Sequence, residues 1–345
     1  MGAAFEIGGQ KVPAGQKITL NLSIGSFNNH MPANMPVRVI HGRKPGPVLF
    51  VSAAVHGDEI IGVEIIRRLL RASAIRRLKG TLLCVPVVNT FGFINHQRYL
   101  PDRRDLNRSF PGAQNGSLAG QLAYLFRQEI VARSDFGIDL HSAARHRVNL
   151  PQIRFFPSKP ELGEMALAFG APVIMEAPLR AGSLRQTATD QGVGVLLYEA
   201  GEALRFDEFA VRVGVKGILN VLKHLEMIGG RQINPPRVAP VLASGSRWVR
   251  SPVGGMFRAR KSIGERAIKD EILGYVSDPF GDSHEEVPSA NSGIIIGRSN
   301  LPIVNPGDPL FHLAFVGKAK SASQNIETME QDMESDPLFD EDEII

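Results

Sequence analysis

The strongest constraint in this chain is a set of short apolar runs, each ending in residues able to do chemistry. Val48–Ala54 reads VLFVSAA, Leu82–Val88 LLCVPVV, Phe136–Leu140 FGIDL and Val193–Tyr198 VGVLLY. Runs of this length without polar alternation are expected of strands buried on both faces. Amphipathic segments lie between them. In Asp58–Lys79, Ile61, Ile65 and Leu69, with Ile66 and Leu70, recur at helical spacing. Arg67, Arg68, Arg71, Arg76, Arg77 and Lys79 decorate its polar side and last turns, where cations suit the helix dipole. Gly120–Ala132 and Phe206–Met227 read as further helices. Buried strands alternating with amphipathic helices predict an α/β fold: a mainly parallel mixed sheet flanked by helices.

The 345 residues are more than one ordinary domain holds, and the texture of the chain divides them. Residues 1–46 are short, polar and turn-rich and suggest a β-rich lead-in to an α/β domain over 1–234. Pro235, Pro236 and Pro240 mark a boundary. From Ser244 to Gly317 short strands alternate with Gly, Pro, Asn and Asp, which predicts a small all-β domain over 235–319. Its phrases SPVGGMF, ILGYVSD and NPGDPLFHLA resemble a barrel-sandwich of the biotinyl/lipoyl type. No lysine stands in an Asp-Lys or Met-Lys hairpin tip, so no swinging-arm attachment is expected. Residues 320–345 are expected to be a disordered acidic tail.

That expectation rests on charge. The formal net charge is +4, yet residues 326–345 hold nine acids and no base. The remainder carries 39 bases against 26 acids, a net of +13. A basic body can serve nucleic acid or an anionic substrate. No nucleic-acid motif accompanies the charge, and the 7% of aromatic residues are not interleaved with the basic clusters, so no nucleic-acid partner is expected. No apolar run reaches the ~20 residues of a membrane span, and Met1–Gln10 lacks the basic and apolar regions of a signal peptide. Met1-Gly2 fits a myristoylation site poorly, because Glu6 stands where Ser or Thr is wanted. The single cysteine, Cys84, excludes an internal disulfide framework and reads as an inert core thiol. A cytoplasmic location is expected. Assembly into homo-oligomers is left open.

Open parallel sheets bind ligands beyond the carboxyl ends of their strands. The first run is followed by Val55-His56-Gly57-Asp58-Glu59, the second ends at Asn89, the third leads into His141-Ser142, and the fourth into Glu199-Ala200-Gly201-Glu202. His56-x-x-Glu59 alone is an ordinary helix start. With His141 it makes two imidazoles and a carboxylate, a set that leaves the fourth position of a Zn²⁺ ion open to water. The other histidines, His312 among them, show no comparable partner placement.

In order along the chain, SAAVHGDEIIGVE, RYLPDRRDLNRSFPG, DLHS and YEAGE resemble the succinylglutamate desuccinylase/aspartoacylase family, within the zinc carboxypeptidase-like fold. The resemblance covers roughly residues 46–228. It implies that His56, Glu59 and His141 hold one Zn²⁺ per chain. It implies that Asp105 hydrogen-bonds a zinc-binding histidine and fixes its tautomer. Asn107 and Arg108 would bind a substrate carboxylate, which suits the guanidinium fork. Arg98 would polarise the scissile carbonyl. The spacing from Arg98 to Asn107 is longer than in aspartoacylases, which keeps Arg103 and Arg104 as alternatives. Glu199 would be the general base and acid, with Glu202 the next acid in line.

The same chemistry follows from what amide hydrolysis needs. Zinc lowers the pKa of its water to about 7, Glu199 could carry the proton to the departing amine, and an arginine with the metal would hold the oxyanion. Arg145, Arg147, Arg154, Arg180 and Arg185 lie near the motif segments, and Arg185 is the candidate for a second anion contact. The expectation is therefore a zinc-dependent amidohydrolase acting on linear amide bonds, with a small anionic N-acyl amino acid or related carboxylate as substrate. Its rivals are a zinc carboxypeptidase on short peptides and a non-catalytic basic binding protein.

Overall fold

The structure, a computed structural model, describes residues 3–229 and 238–336. A hairpin of β1 (Phe5–Ile7) and β2 (Gln10–Val12) turns at Gly8 and Gly9, both at positive φ. β3 (Lys17–Ser26) and β4 (Pro32–His41) form a long antiparallel pair whose alternate residues Leu20, Leu22, Met35, Val37 and Val39 are buried. β5 (Lys44–Ala53) is exposed where it begins and buried from Leu49 to Ala53. Then come α1 (Ile61–Leu69), β6 (Lys79–Val85), α2 (Thr90–Ile94), α3 (Leu118–Glu129) and β7 (Phe136–Ala143). β8 (Arg147–Phe155), α4 (Pro160–Phe169), β9 (Val173–Glu176), α5 (Leu184–Asp190), β10 (Gly194–Glu202) and α6 (Glu208–His224) complete this half. The helix expected over 58–79 is shorter. Its first residues belong to the loop after β5, and Ser73–Arg77 tightens into a 3₁₀ turn.

The centre of the sheet is the parallel order β6-β5-β7-β10. β4 and β3 extend it antiparallel beyond β6, and β8 pairs antiparallel with β10. One face packs on α1, α4 and α6 through Ile61, Ile65, Met165, Phe169, Ile218 and Leu222. The other packs on α3 and α5 through Leu122, Phe126, Leu184 and Ala188. The strands are apolar on both sides because both sides are covered. Pro151 sits inside β8, where a missing N–H would normally break a ladder. Both neighbouring ladders already break there. β17 pairs with Arg147–Asn149, β9 takes over from Gln152, and β10 bulges between Glu199 and Gly201.

After residue 237 the described chain is built of strands until its last helix. β11 (Val241–Ala243) pairs with β9, and β12 (Gly245–Arg250) follows. β13 (Gly255–Ala259), β14 (Arg266–Ala267), β15 (Ile272–Ser277), β16 (His284–Pro288), β17 (Gly293–Ser299), β18 (Ile303–Val304) and β19 (Pro309–Phe315) complete the set. β16-β15-β13-β18 form a separate sheet whose Phe257, Leu273 and Val276 share a core with Ile295, Phe311 and Leu313 of β17 and β19. β17, β19 and β12 instead continue the main sheet outward from β8. The boundary expected at 234/235 lies outside the described residues.

Of the disordered acidic tail expected at 320–345, the stretch up to Asp336 is corrected by the structure. Ala319–Glu334 forms a helix, α7, that buries Ala322, Ile326, Met329 and Met333. These positions advance by four, three and four residues, one stripe of a helix. The stripe packs near Gly264 and Leu150 at one end and against α6 at the other, where Lys216 meets Asp336 at 2.5 Å. The acids mask this stripe when charge alone is counted. Residues 337–345 lie outside the described residues.

Candidate active site

The loop after β5 turns at Ala54, held at positive φ, and threads against α2. A Cβ on Gly57 would lie 2.0 Å from the Gly92 backbone, so only glycine lets the loop pass. This places His56 and Glu59 at the carboxyl end of β5. His141 lies in β7, and its neighbour in register on the parallel strand β10 is Glu199. The bulge after Glu199, with Gly201 at positive φ, ends regular pairing at that point.

Glu59 is the hub. Its Oε1 lies 2.7 Å from His56 Nδ1 and its Oε2 2.7 Å from His141 Nδ1. Arg98 Nη1 donates to Oε1 at 2.9 Å and the Ser142 N–H to Oε2 at 3.2 Å. All three side chains are buried, and one donor atom from each lies within 4.8 Å of the others. The outer nitrogens are also held. His56 Nε2 is 3.0 Å from Asp105 Oδ1, and His141 Nε2 is 2.8 Å from Asp139 Oδ2. Asp139 accepts in turn from Ser52 Oγ at 2.7 Å.

The electrostatics follow from this packing. Burial alone would push the Glu59 carboxyl up, but the two imidazoles beside it hold it well below the usual carboxylate range. Burial likewise opposes the charged form of each histidine. Glu59 and Asp105 nevertheless raise His56, and Asp139 and Glu59 raise His141 strongly. Each 2.7 Å Nδ1–carboxylate contact needs a proton between the two atoms when nothing else is there. A divalent cation would replace those protons. With both Nε2–H groups turned to carboxylates, both Nδ1 lone pairs face inward, so the donor set fits a metal ion.

Asp105, whose carboxyl is held low against its burial by His56 and Arg98, also accepts the Asn107 N–H at 2.8 Å. That bond caps the short 3₁₀ turn Leu106–Arg108. Asn107 Oδ1 accepts from the Leu184 N–H at 2.9 Å, tying the turn to the start of α5. Arg108 is exposed and donates to the Asn107 carbonyl. Arg185, on α5, is only 9% exposed. Its Nη2 donates to the Pro178 carbonyl at 3.1 Å, while its Nη1 is buried with no hydrogen-bond partner among the described residues. Burial, and then Arg154, pull its pKa below the ordinary arginine value.

These side chains line one cavity of about 530 Å³. It gathers His56, Glu59, His141, Arg98, Asn107, Arg108, Arg185 and Glu199. Asp105 stands behind it, on His56. Arg103 and Arg104 are exposed and are not among the lining residues, so Arg98 is the arginine of that segment that reaches the cavity. Glu202 is not a lining residue either. Its carboxylate accepts from the His146 N–H and from Asn300 Nδ2.

Several lining residues escape sequence reasoning. Asp139 stands two residues before His141 in one strand, which puts both on one face, and that spacing was a readable signal. Asn149 donates to Glu199 Oε2 at 3.1 Å from the neighbouring strand. Trp248 and His312 reach the cavity from β12 and β19, stacked 4.6 Å apart, with Arg147 over Trp248 at 5.7 Å. Burial, then Arg154, push His312 down to about 3, so it is a neutral wall that bonds Ser246 Oγ at 2.9 Å.

Fold and site together describe an α/β protein with a buried histidine–carboxylate cluster at the carboxyl rim of its sheet. The succinylglutamate desuccinylase/aspartoacylase catalytic domain matches residues 45–225, and the chain belongs to that family. It is 29% identical over 297 residues to the N-alpha-acetyl-L-2,4-diaminobutyric acid deacetylase of Halomonas elongata, covering 82% of this chain and 86% of that protein. The crystal structure of a succinylglutamate desuccinylase/aspartoacylase from Rhodobacter sphaeroides superposes with a TM-score of 0.77 at 25% identity, covering 88% and 96% of the two chains. The product-bound ectoine utilization protein EutE (DoeB) of Ruegeria pomeroyi shares the fold, with a TM-score of 0.78 at 23% identity over 87% and 95% of the chains.

Proposed function

We propose that this chain is a zinc-dependent amidohydrolase that removes an acyl group from a small N-acyl amino acid or related carboxylate. The observation that carries the reading is the adjacency of Glu199 and His141 in register at one cavity, beside a three-donor cluster suited to a metal. The name of the Halomonas relative, a deacetylase of an N-acetylated amino acid, supports the reaction class.

His56, Glu59 and His141 would hold the metal. Bound there, Zn²⁺ would supply a water acidic enough to attack at neutral pH and a positive charge beside the carbonyl oxygen. Asp105 and Asp139 fix the imidazole tautomers through their Nε2–H groups. Glu199 takes a proton from the attacking water and returns it to the leaving nitrogen, and Asn149 orients its carboxylate. Arg98 faces the same cavity and offers its guanidinium to the carbonyl oxygen as negative charge develops. Asn107, Arg108 and the unpaired Nη1 of Arg185 receive the substrate carboxylate. The β12–β19 wall, with Trp248 and His312, bounds one side of the cavity, whose volume of about 530 Å³ falls in the range of small-molecule sites.

Two measurements test this. Purified protein should hold one zinc per chain, and His56→Ala with His141→Ala should lose it. A panel of N-acyl amino acids and short peptides, assayed for released amine, should show turnover on the former. Full zinc in the double variant, or turnover confined to peptides, would overturn the reading.

A further inference from the structure

A second cavity, of about 920 Å³, opens at the opposite end of the sheet, where β5 and β6 begin. Its lining is basic. Lys17 comes from the start of β3, and Arg43 and Lys44 from the turn into β5. Arg71, Arg76, Arg77 and Lys79 come from the connection between α1 and β6. Among the described residues, no aspartate or glutamate lines it. Its floor is apolar, formed by Ile40, Ile75 and Leu78, all buried.

Arg71 apart, the pairing of these cations differs from that of their neighbours. On α1, Arg67 and Arg68 are ion-paired with Glu64, and Arg68 also with Glu208. Among the described residues, Lys17, Arg43, Lys44, Arg76, Arg77 and Lys79 have no carboxylate within the 4.0 Å of an ion pair. Lys17 spends its ammonium on the Leu70 carbonyl at the end of α1, and Arg43 lies across Gly15. So many like charges around one concavity set up a positive potential that favours an anion there. A single carboxylate would leave most of them uncompensated. A second copy of this face would add only like charge. The apolar floor asks for a ligand with a carbon body as well as several charges. A cavity of this size falls in the range of small-molecule sites.

We propose that this cavity binds an organic polyphosphate, of the nucleoside triphosphate type, with its phosphates among Arg43, Lys44 and Arg76 and its body on Ile40, Ile75 and Leu78. The site lies at the amino rim of the parallel strands, separate from the carboxyl-rim cavity, and does not depend on the reaction assigned there.

Isothermal titration of the full chain with ATP, without divalent cation and at low salt, tests the proposal. Binding should be one to one and should weaken as salt rises. Lys44→Glu with Arg76→Glu should weaken it at least tenfold, and Arg43→Glu alone should weaken it measurably. Both sets of residues are exposed, and unchanged melting temperatures would confirm that these variants fold. Arg108→Ala, in the other cavity, should leave ATP binding as it is. Inorganic tripolyphosphate should bind more weakly than ATP, because it has no body for the apolar floor. Unchanged affinity in the basic-cavity variants, or loss of binding in Arg108→Ala, would overturn the site. Equal affinity for tripolyphosphate would overturn the organic class. Preference for a single-stranded oligonucleotide that loads several proteins per strand would replace a small ligand with nucleic acid.

Discussion

At the scale of the residue, the two arginines proposed to receive the substrate carboxylate differ in a measurable way. Arg108 is exposed, whereas Arg185 is buried with one nitrogen unpaired. A hydrogen bond to a charged group is worth about 1.5–3 kcal/mol, and the buried partner should lie at the upper end because less water competes. Arg185→Ala is therefore expected to lower kcat/KM more than Arg108→Ala, and Arg185→Lys should restore only part, since an ammonium lacks the planar fork. Steady-state kinetics on an N-acyl amino acid and on a carboxylate-free amide distinguish the roles. Equal losses on both substrates would make these arginines structural. Glu199→Gln keeps the Asn149 contact but removes the base. Zinc content should stay at one per chain while kcat falls about 10²-fold or more. Near-normal turnover would remove Glu199 from the chemistry, and Glu202, already bonded to His146 and Asn300, is a poor successor. The gathering of His56, Glu59, His141 and Glu199 at one cavity could be read from sequence because each follows a strand-like run. Trp248 and His312 could not, because the pairing that brings β12 and β19 to the cavity joins segments far along the chain from the motifs, and nothing local encodes it.

At the scale of the element, strands announced by unbroken apolar runs were legible, and those with mixed texture were not. β8 reads RVNLPQIRF, whose polar residues and Pro151 argue against a central strand. It occupies that position only because its partners break register where the proline stands. α7 is the opposite case. Its acids suggested a solvated tail, while four apolar residues at helical spacing dock it on the body. If that stripe holds the helix, Ile326→Ala should destabilise the protein by about 2 kcal/mol, near the low end for a buried isoleucine because the helix is packed on one side only. Glu327→Ala, one residue on and exposed, should stay within about 0.5 kcal/mol. Chemical denaturation of the two variants decides. Equal, negligible effects would return residues 319–334 to the unstructured tail that composition suggested.

At the scale of the whole molecule, composition suggested two units, and hydrogen bonding joins them. Gly297, Arg298 and Ser299 of β17 pair with Asn149, Val148 and Arg147 of β8, while β11 pairs with β9. The edge of β8 is thus shared between the two halves of the chain, and so is the cavity wall. Separate domains meet through surfaces that can part and leave each core intact. Here parting would strip ladder bonds from β8 and β9 and expose Leu150, Ile294 and Ile296, which share one buried cluster. The α/β half should therefore not outlast the β half on heating. Scanning calorimetry of the full chain should give one transition, with calorimetric and van't Hoff enthalpies in agreement. Trp248 stacks on His312 at the seam, so its fluorescence should change at the same temperature as the far-ultraviolet circular dichroism of the helices. Two resolved transitions, with the tryptophan signal following only one, would show that the halves fold independently and that the shared sheet edge contributes little to holding them together.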